Sequence, residues 1–252
     1  MSQSPFTSLH ADLSAGRGAV SKEAAPFRFS PPRPRAWVYV DGFNLYYGAL
    51  KDTPLRWLNP LALAAHLFPA FDCVGCKYFS ATLSARAGSD DQVRRQALYW
   101  RALRTVPSLE VIEGHFKVRK TWARVAHPPP DRVEIIRAEE KGSDVNLASH
   151  LLVDVLTGAT SAALVISGDS DLVTPIGMLT HRFGRTVGVI NPQRLSGPNL
   201  RRLRGSSQLK QVSSHYRGGL TWSQLAKAQF PAELADGQGI FRVPVEWTAE
   251  AV

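Results

Sequence analysis

The sequence predicts an α/β fold around a mostly parallel sheet with right-handed crossovers. Apolar, β-rich runs alternate with helical patterns along most of the chain. Several of these runs are short and apolar throughout, as strands buried on both faces are. Size agrees with this, because 252 residues, 44% of them hydrophobic, suffice for one large domain with appendages.

Residues 1–35 are rich in Ser, Ala, Pro and Arg and show neither period, so they read as a disordered leader. A first strand runs from Ala36 and stops at Asp41-Gly42. Leu61 to Phe68 reads as a helix with Pro60 in its first turn. Val74–Ala81 is a second strand, Asp91–Thr105 a helix, and Leu109–Phe116 a third strand. From Lys117 to Arg137, two β-rich runs flank His127-Pro128-Pro129-Pro130-Asp131, which predicts a hairpin insertion. Val145–Leu156 is helical and Ala162–Ser167 a buried strand. Pro175–Phe183 is a helix that stops at Gly184, and Thr186–Ile190 is another buried strand. The organised domain is placed at residues 36–215, leaving 216–252 as a C-terminal tail in which Leu220 to Pro231 suits a short amphipathic helix.

Composition excludes several classes. Nothing approaches the ~18 consecutive apolar residues of a membrane span, and no basic and apolar leader marks secretion. Two cysteines without such a leader argue for a reducing compartment, so a cytoplasmic location is expected. The formal net charge is +9, and its placement is uneven. No Asp or Glu occurs between Asp171 and Glu233, an interval with nine Lys and Arg, while the rest of the chain holds 21 of each sign. Such a stretch favours a polyanionic partner.

Ligands of parallel sheets bind at the carboxyl ends of the strands, and acidic residues stand there. Asp41 ends the first strand in Val40-Asp41-Gly42-Phe43-Asn44, where it also reads as a turn residue. Asp169 and Asp171 follow a later strand in Ser167-Gly168-Asp169-Ser170-Asp171. Helix capping is the alternative for them, but Pro175 favours Thr174 as the cap and leaves both in the preceding loop. Asp144 falls on the apolar arc of Leu147, Ala148, Leu151, Leu152 and Val155, where a carboxylate is costly unless paired or metal-bound. Its alternative role is to face the helix dipole in the first turn. Asp154 lies too far along the helix to join it and reads as a solvated edge carboxylate. Oxygen-only ligands suit Mg²⁺ or Mn²⁺, and such a set supports metal-assisted phosphodiester hydrolysis.

Three blocks at these residues resemble the NYN domain family, a branch of the PIN-like metal-dependent nucleases: Val40-Asp41-Gly42-Phe43-Asn44-Leu45, Lys141-Gly142-Ser143-Asp144-Val145-Asn146-Leu147-Ala148, and Ser167-Gly168-Asp169-Ser170-Asp171-Leu172. The likeness spans about residues 36–215. It implies a PIN-like three-layer α/β/α fold, ribonuclease activity with Mg²⁺ or Mn²⁺, and Asp41, Asp144, Asp169 and Asp171 as the acidic cluster. Asn44 and Ser167 follow as polar neighbours that orient a ligand or water. Where many relatives carry an acid six positions after the helix Asp, this chain has His150, which the helical wheel turns away from the cluster.

The expectation is therefore a metal-dependent ribonuclease, with a catalytically silent RNA-binding adaptor as the rival and RNA, single-stranded or structured, as the partner. Self-association is left open and no membrane is expected. Lys117, Arg119, Lys120 and Trp122 on the hairpin suit a grip on a single strand, against the alternative of a solvated hairpin. Arg201, Arg202 and Arg204 suit a phosphate clamp or a solvated helix end. Cys73-Val74-Gly75-Cys76 has redox-motif spacing but lies on a strand, so both read as ordinary semi-buried cysteines.

Overall fold

A computed structural model describes residues 32–82, 89–127, 129–195 and 206–248. From Arg33 onward the chain forms one compact unit. Strand β1 (Arg35–Asp41) leads into the short helix α1 (Gly42–Leu45), whose last turn widens to π geometry over Tyr46–Leu50. Helix α2 (Pro60–Leu67) is capped by Asn59, with proline at its first position where the missing N–H costs nothing. Then follow β2 (Asp72–Ala81) and α3 (Asp90–Leu103), the latter opened by a capping box between Ser89 and Gln92.

Strand β3 (Leu109–Arg124) turns back as β4 (Arg132–Lys141), and Gly142, at φ 97°, makes the left-handed step into α4 (Ser143–Leu156). Next come β5 (Ala162–Ile166), a 3₁₀ turn at Ser170–Leu172, α5 (Val173–Gly177) with a π turn at Met178–Arg182, and β6 (Thr186–Ile190). The chain ends with β7 (Arg194–Leu195), α6 (Ser207–Val212), β8 (His215–Arg217), β9 (Leu220–Thr221), α7 (Trp222–Lys227), β10 (Glu233–Asp236), β11 (Gly239–Arg242) and a 3₁₀ turn at Val245–Trp247.

Seven strands form the central sheet in the order β4-β3-β2-β1-β5-β6-β8, parallel except for β4 at one edge. Strand alternation sends Val38 and Val40 of β1, with Leu164 and Ile166 of β5, to one face. Tyr39, Val165, Val187 and Val189 go to the other, where Leu147, Leu151 and Val155 of α4 cover them. Both faces are sealed, giving the three-layer α/β/α arrangement that the apolar strand runs imply.

Some boundaries shift. Strand β3 does not stop at Phe116 but continues to Arg124, so the expected insertion is the outer half of a long ribbon. The segment expected as a tail after residue 215 contains β8 of the main sheet and buries Leu220, Leu225, Phe230, Phe241 and Trp247. Trp57 is its anchor, with ring contacts to Phe230, Phe241 and Trp247 at 6.0–6.4 Å. The leader, residues 1–31, lies outside the described residues. Among the described residues no helix is long and apolar enough to cross a membrane.

Candidate functional site

Asp41, Asp144 and Asp169 converge: each offers a carboxylate oxygen within 4.8 Å of the other two. Central strand β1 delivers Asp41 at its carboxyl end. The loop after neighbouring β5 delivers Asp169, and the first turn of α4 delivers Asp144. Asp41 is the buried member. Its Oδ1 accepts the Asn44 N–H at 2.9 Å, and its Oδ2 accepts the Ser167 hydroxyl at 3.0 Å. The Ser167 oxygen in turn accepts the Asp169 N–H at 3.1 Å, and Asn44 Oδ1 accepts the Gly168 N–H at 3.0 Å. Asn44 and Ser167 thus fasten the two strand ends together.

Burial pushes the Asp41 carboxyl up to about 6 despite these two donors, and the Asp144 and Asp169 charges push the same way. The Asp144 carboxyl is also raised, first by partial burial, then by Asp169, Glu140 and Asp171.

Three readings of these acids change. Asp171 is not a fourth convergent ligand: it is exposed, and its N–H donates to Asp169 Oδ1 at 3.0 Å. Asp169 therefore does cap a turn, the 3₁₀ segment that precedes α5, because the helix begins before Pro175 rather than at it. Asp144 is exposed at the rim instead of lying on the core stripe; Leu147, Leu151 and Val155 face the core without it.

Asp154 departs further from the solvated edge expected of it. It accepts the Tyr39 hydroxyl at 2.9 Å and the Lys77 ammonium at 2.5 Å, in an ion pair whose side chains are 11% and 18% exposed. His150 is half-buried beside them, its Nδ1 3.1 Å from Lys77 Nζ and its ring against Phe79. Cys73 and Cys76 are free, and burial raises both thiols, Cys73 to about 11.

The basic candidates are scattered. Lys117 and Arg119 alternate with Lys120 and Trp122 along β3, so strand geometry places the pairs on opposite faces of the ribbon. Lys120 pairs with Glu134. Arg201, Arg202 and Arg204 lie outside the described residues. Within the acid-free interval, Arg217 donates to Leu67 O and stacks on Phe68, which spends part of that charge inside the fold.

Beside Asp41 opens a cavity of about 360 Å³, lined by Gly42, Phe43, Tyr46, Tyr78, Tyr99 and Trp100 among others. A Cβ on Gly42 would stand 2.7 Å from the Tyr78 ring, so only glycine lets this aromatic wall close on the strand end. The sequence reading missed this cavity. Its one local signal is the aromatic pair Tyr46-Tyr47 directly after the first block; the other walls come from distant segments.

Fold and site together define an α/β protein with an all-carboxylate cluster and an adjoining aromatic cavity. The chain is 31% identical to the 6-hydroxy-3-succinoylpyridine 3-monooxygenase HspA of Pseudomonas putida over 226 aligned residues, 78% of this chain and 70% of that protein, and it belongs to that protein's family. No protein-family model matches the chain. A solved protein of unknown function from Vibrio parahaemolyticus is similar over 84% of this chain and 99% of its own, at 15% identity and a TM-score of 0.45.

This kinship corrects the expected function. The named relative is a monooxygenase, so neither the ribonuclease nor the silent RNA-binding adaptor is retained, and the nuclease and hydrolase descriptions go with them. The physical reason is that a cluster of three carboxylates, whatever it holds, does not define the reaction performed beside it.

Proposed function

We propose that the protein is an oxidoreductase of the monooxygenase class, acting on a small oxygenated heteroaromatic ring in the cavity beside Asp41. The observation that carries this reading is the 31% identity to HspA across 70% of that protein's length. The cavity supports it, because about 360 Å³ walled by tyrosine, phenylalanine and tryptophan is the size and chemistry a single substituted ring requires. In such a reaction one atom of dioxygen enters the substrate and the other leaves as water, with two electrons drawn from a reductant.

The cluster of Asp41, Asp144 and Asp169 is proposed to hold Mg²⁺ or Mn²⁺, on a scaffold that keeps the three NYN-like blocks. The donor set supports a hard ion: three carboxylates with no histidine or cysteine among them. When bound, the ion supplies charge, offsetting the carboxylate repulsion and attracting an anionic substrate oxygen. Asn44 and Ser167 hold the Asp41 carboxylate in position.

The test is dioxygen uptake by the purified protein with 6-hydroxy-3-succinoylpyridine and NADH or NADPH, with and without Mn²⁺. Incorporation of one ¹⁸O atom from ¹⁸O₂ into product is the expected result. Absence of substrate-dependent uptake under all of these conditions, in protein shown to be folded, overturns the reading.

A further inference from the structure

The outermost strand of the main sheet has one open side. β4 pairs with β3 over ten consecutive positions, Arg132–Lys141, and among the described residues no strand pairs with its other edge. β2 leaves β3 at Gly114, so from His115 outward the two strands stand as a ribbon. A long edge of this kind presents N–H and C=O groups that another strand can take up, and β4 holds neither a proline nor a bulge to prevent it. Large apolar side chains are exposed along it. Trp122 and Ile136 share one face of the ribbon, 64% and 69% exposed, and Val133 and Ile135 lie on the other.

The charges of β4 select a partner. Two copies of the strand that pair antiparallel are related by a two-fold axis through the sheet. Opposed residues must share a face, so that axis passes beside one residue, which then faces itself. Centring on Glu134 or Arg137 opposes like charges, and centring on Ile135 brings no opposite charges together. Centring on Ile136 sets Arg132 of each copy opposite Glu140 of the other, and Asp131 opposite Lys141. The same register relieves a conflict inside each ribbon. Arg124 and Arg132 are directly opposed on β3 and β4, an arrangement that destabilises a strand pair, and Glu140 of a second copy comes to the open side of Arg132.

We propose that the protein self-associates through β4, two copies joining their seven-stranded sheets edge to edge across a two-fold axis at Ile136. Such pairing uses up both open edges and stops at two copies. It also reaches the acidic cluster. Glu140 Oε1 accepts the Ser143 N–H at 3.1 Å where β4 turns into α4, the helix that carries Asp144. Self-association therefore sets a guanidinium of the second copy beside that turn.

Sedimentation velocity of the full chain tests this, and a dimer at micromolar concentration is expected. Arg132→Glu alone and Glu140→Arg alone each oppose like charges at both ends of the seam, and each is expected to raise the dissociation constant at least about 10-fold. Mixed in equal amounts, the two variants restore opposite charges at both ends and are expected to recover the dimer. Ile136→Cys is expected to cross-link two copies on mild oxidation, because opposed Cα atoms about 4.5–5.5 Å apart suit a disulfide. Ile240→Cys, equally exposed on β11, is expected not to. Should Glu140→Arg fail to melt cooperatively, Arg132→Glu and the cross-link decide. A monomeric wild type, a dimer that folded Arg132→Glu retains, a mixture of folded variants that stays monomeric, or no cross-link at position 136 overturns the proposal.

Discussion

The Ser167 hydroxyl donates to Asp41 Oδ2 at 3.0 Å across 126 residues of sequence, and the same oxygen accepts the N–H of Asp169. One small side chain therefore sets the spacing of two of the three clustered acids. Ser167→Ala is expected to remove both bonds and cost about 1–3 kcal/mol of stability, because Asp41 Oδ2 and the Asp169 amide lose their partners. It is also expected to weaken Mn²⁺ binding several-fold. Denaturant titration and calorimetric titration with Mn²⁺ check the two halves separately.

Asp41 gives the metal-free protein a specific pH dependence. Its carboxyl is raised by burial from 3.8 to about 6 in the folded state. Between those values the native state binds more protons than the unfolded chain, so this group's contribution to stability falls as pH rises through that window. With the metal removed, melting temperature is expected to be higher near pH 5 than near pH 7, and Asp41→Asn to flatten that difference. A wild-type profile that rises steadily from pH 4 to pH 7, with the same profile in Asp41→Asn, rules this out.

Asp154 and Lys77 should behave as a buried pair. Asp154→Asn strands a largely buried ammonium and is expected to cost about 3 kcal/mol or more, whereas Lys77→Met with Asp154→Leu together is expected to cost much less. Urea unfolding of Lys77→Met, Asp154→Leu and the double variant measures the coupling.

Gly42→Ala is expected to push the Tyr78 ring out of its place, since the new methyl would sit 2.7 Å from ring atoms. Expected effects are about 1–3 kcal/mol of destabilisation and a loss of ligand binding in the cavity, with Mn²⁺ binding changed less. Parallel titrations with Mn²⁺ and with 6-hydroxy-3-succinoylpyridine distinguish these sites.

A chain ending at residue 215 is expected not to fold cooperatively. It lacks most of β8 and the buried Leu220, Leu225, Phe230, Phe241 and Trp247, so Trp57 loses the rings around it. A sharp thermal transition in the truncated protein contradicts this.

These cases separate what the sequence displays from what it hides. Strands β1, β5 and β6 are legible because burial on both faces makes them apolar throughout, and Asp41 and Asp169 are legible because they stand where such strands end. Asp154 is misread because its partner Lys77 lies 77 residues away and no local period points to it. Asp171 is misread because the 3₁₀ turn, not α5, sets its direction. In the tail the helix expected within Leu220–Pro231 is present as α7, whereas β8 to β11 go unread because two- to four-residue strands are too short to show a period. The reaction class is not legible at all, since the same arrangement of acids on the same fold is compatible with unrelated chemistries.

Strand β1 is the first strand of the main sheet to be made, yet it occupies the middle, between β2 and β5. One edge finds β2 soon after synthesis. The other waits for β5, which ends at Ile166, roughly 125 residues beyond Asp41. At about 5–20 residues per second on the ribosome, that edge stays unpaired for roughly 6–25 s. For that interval the nascent chain displays the backbone of Val38, Tyr39 and Val40 as an open template. Slowing translation between β2 and β5 is therefore expected to increase misfolding more than the same delay after β6.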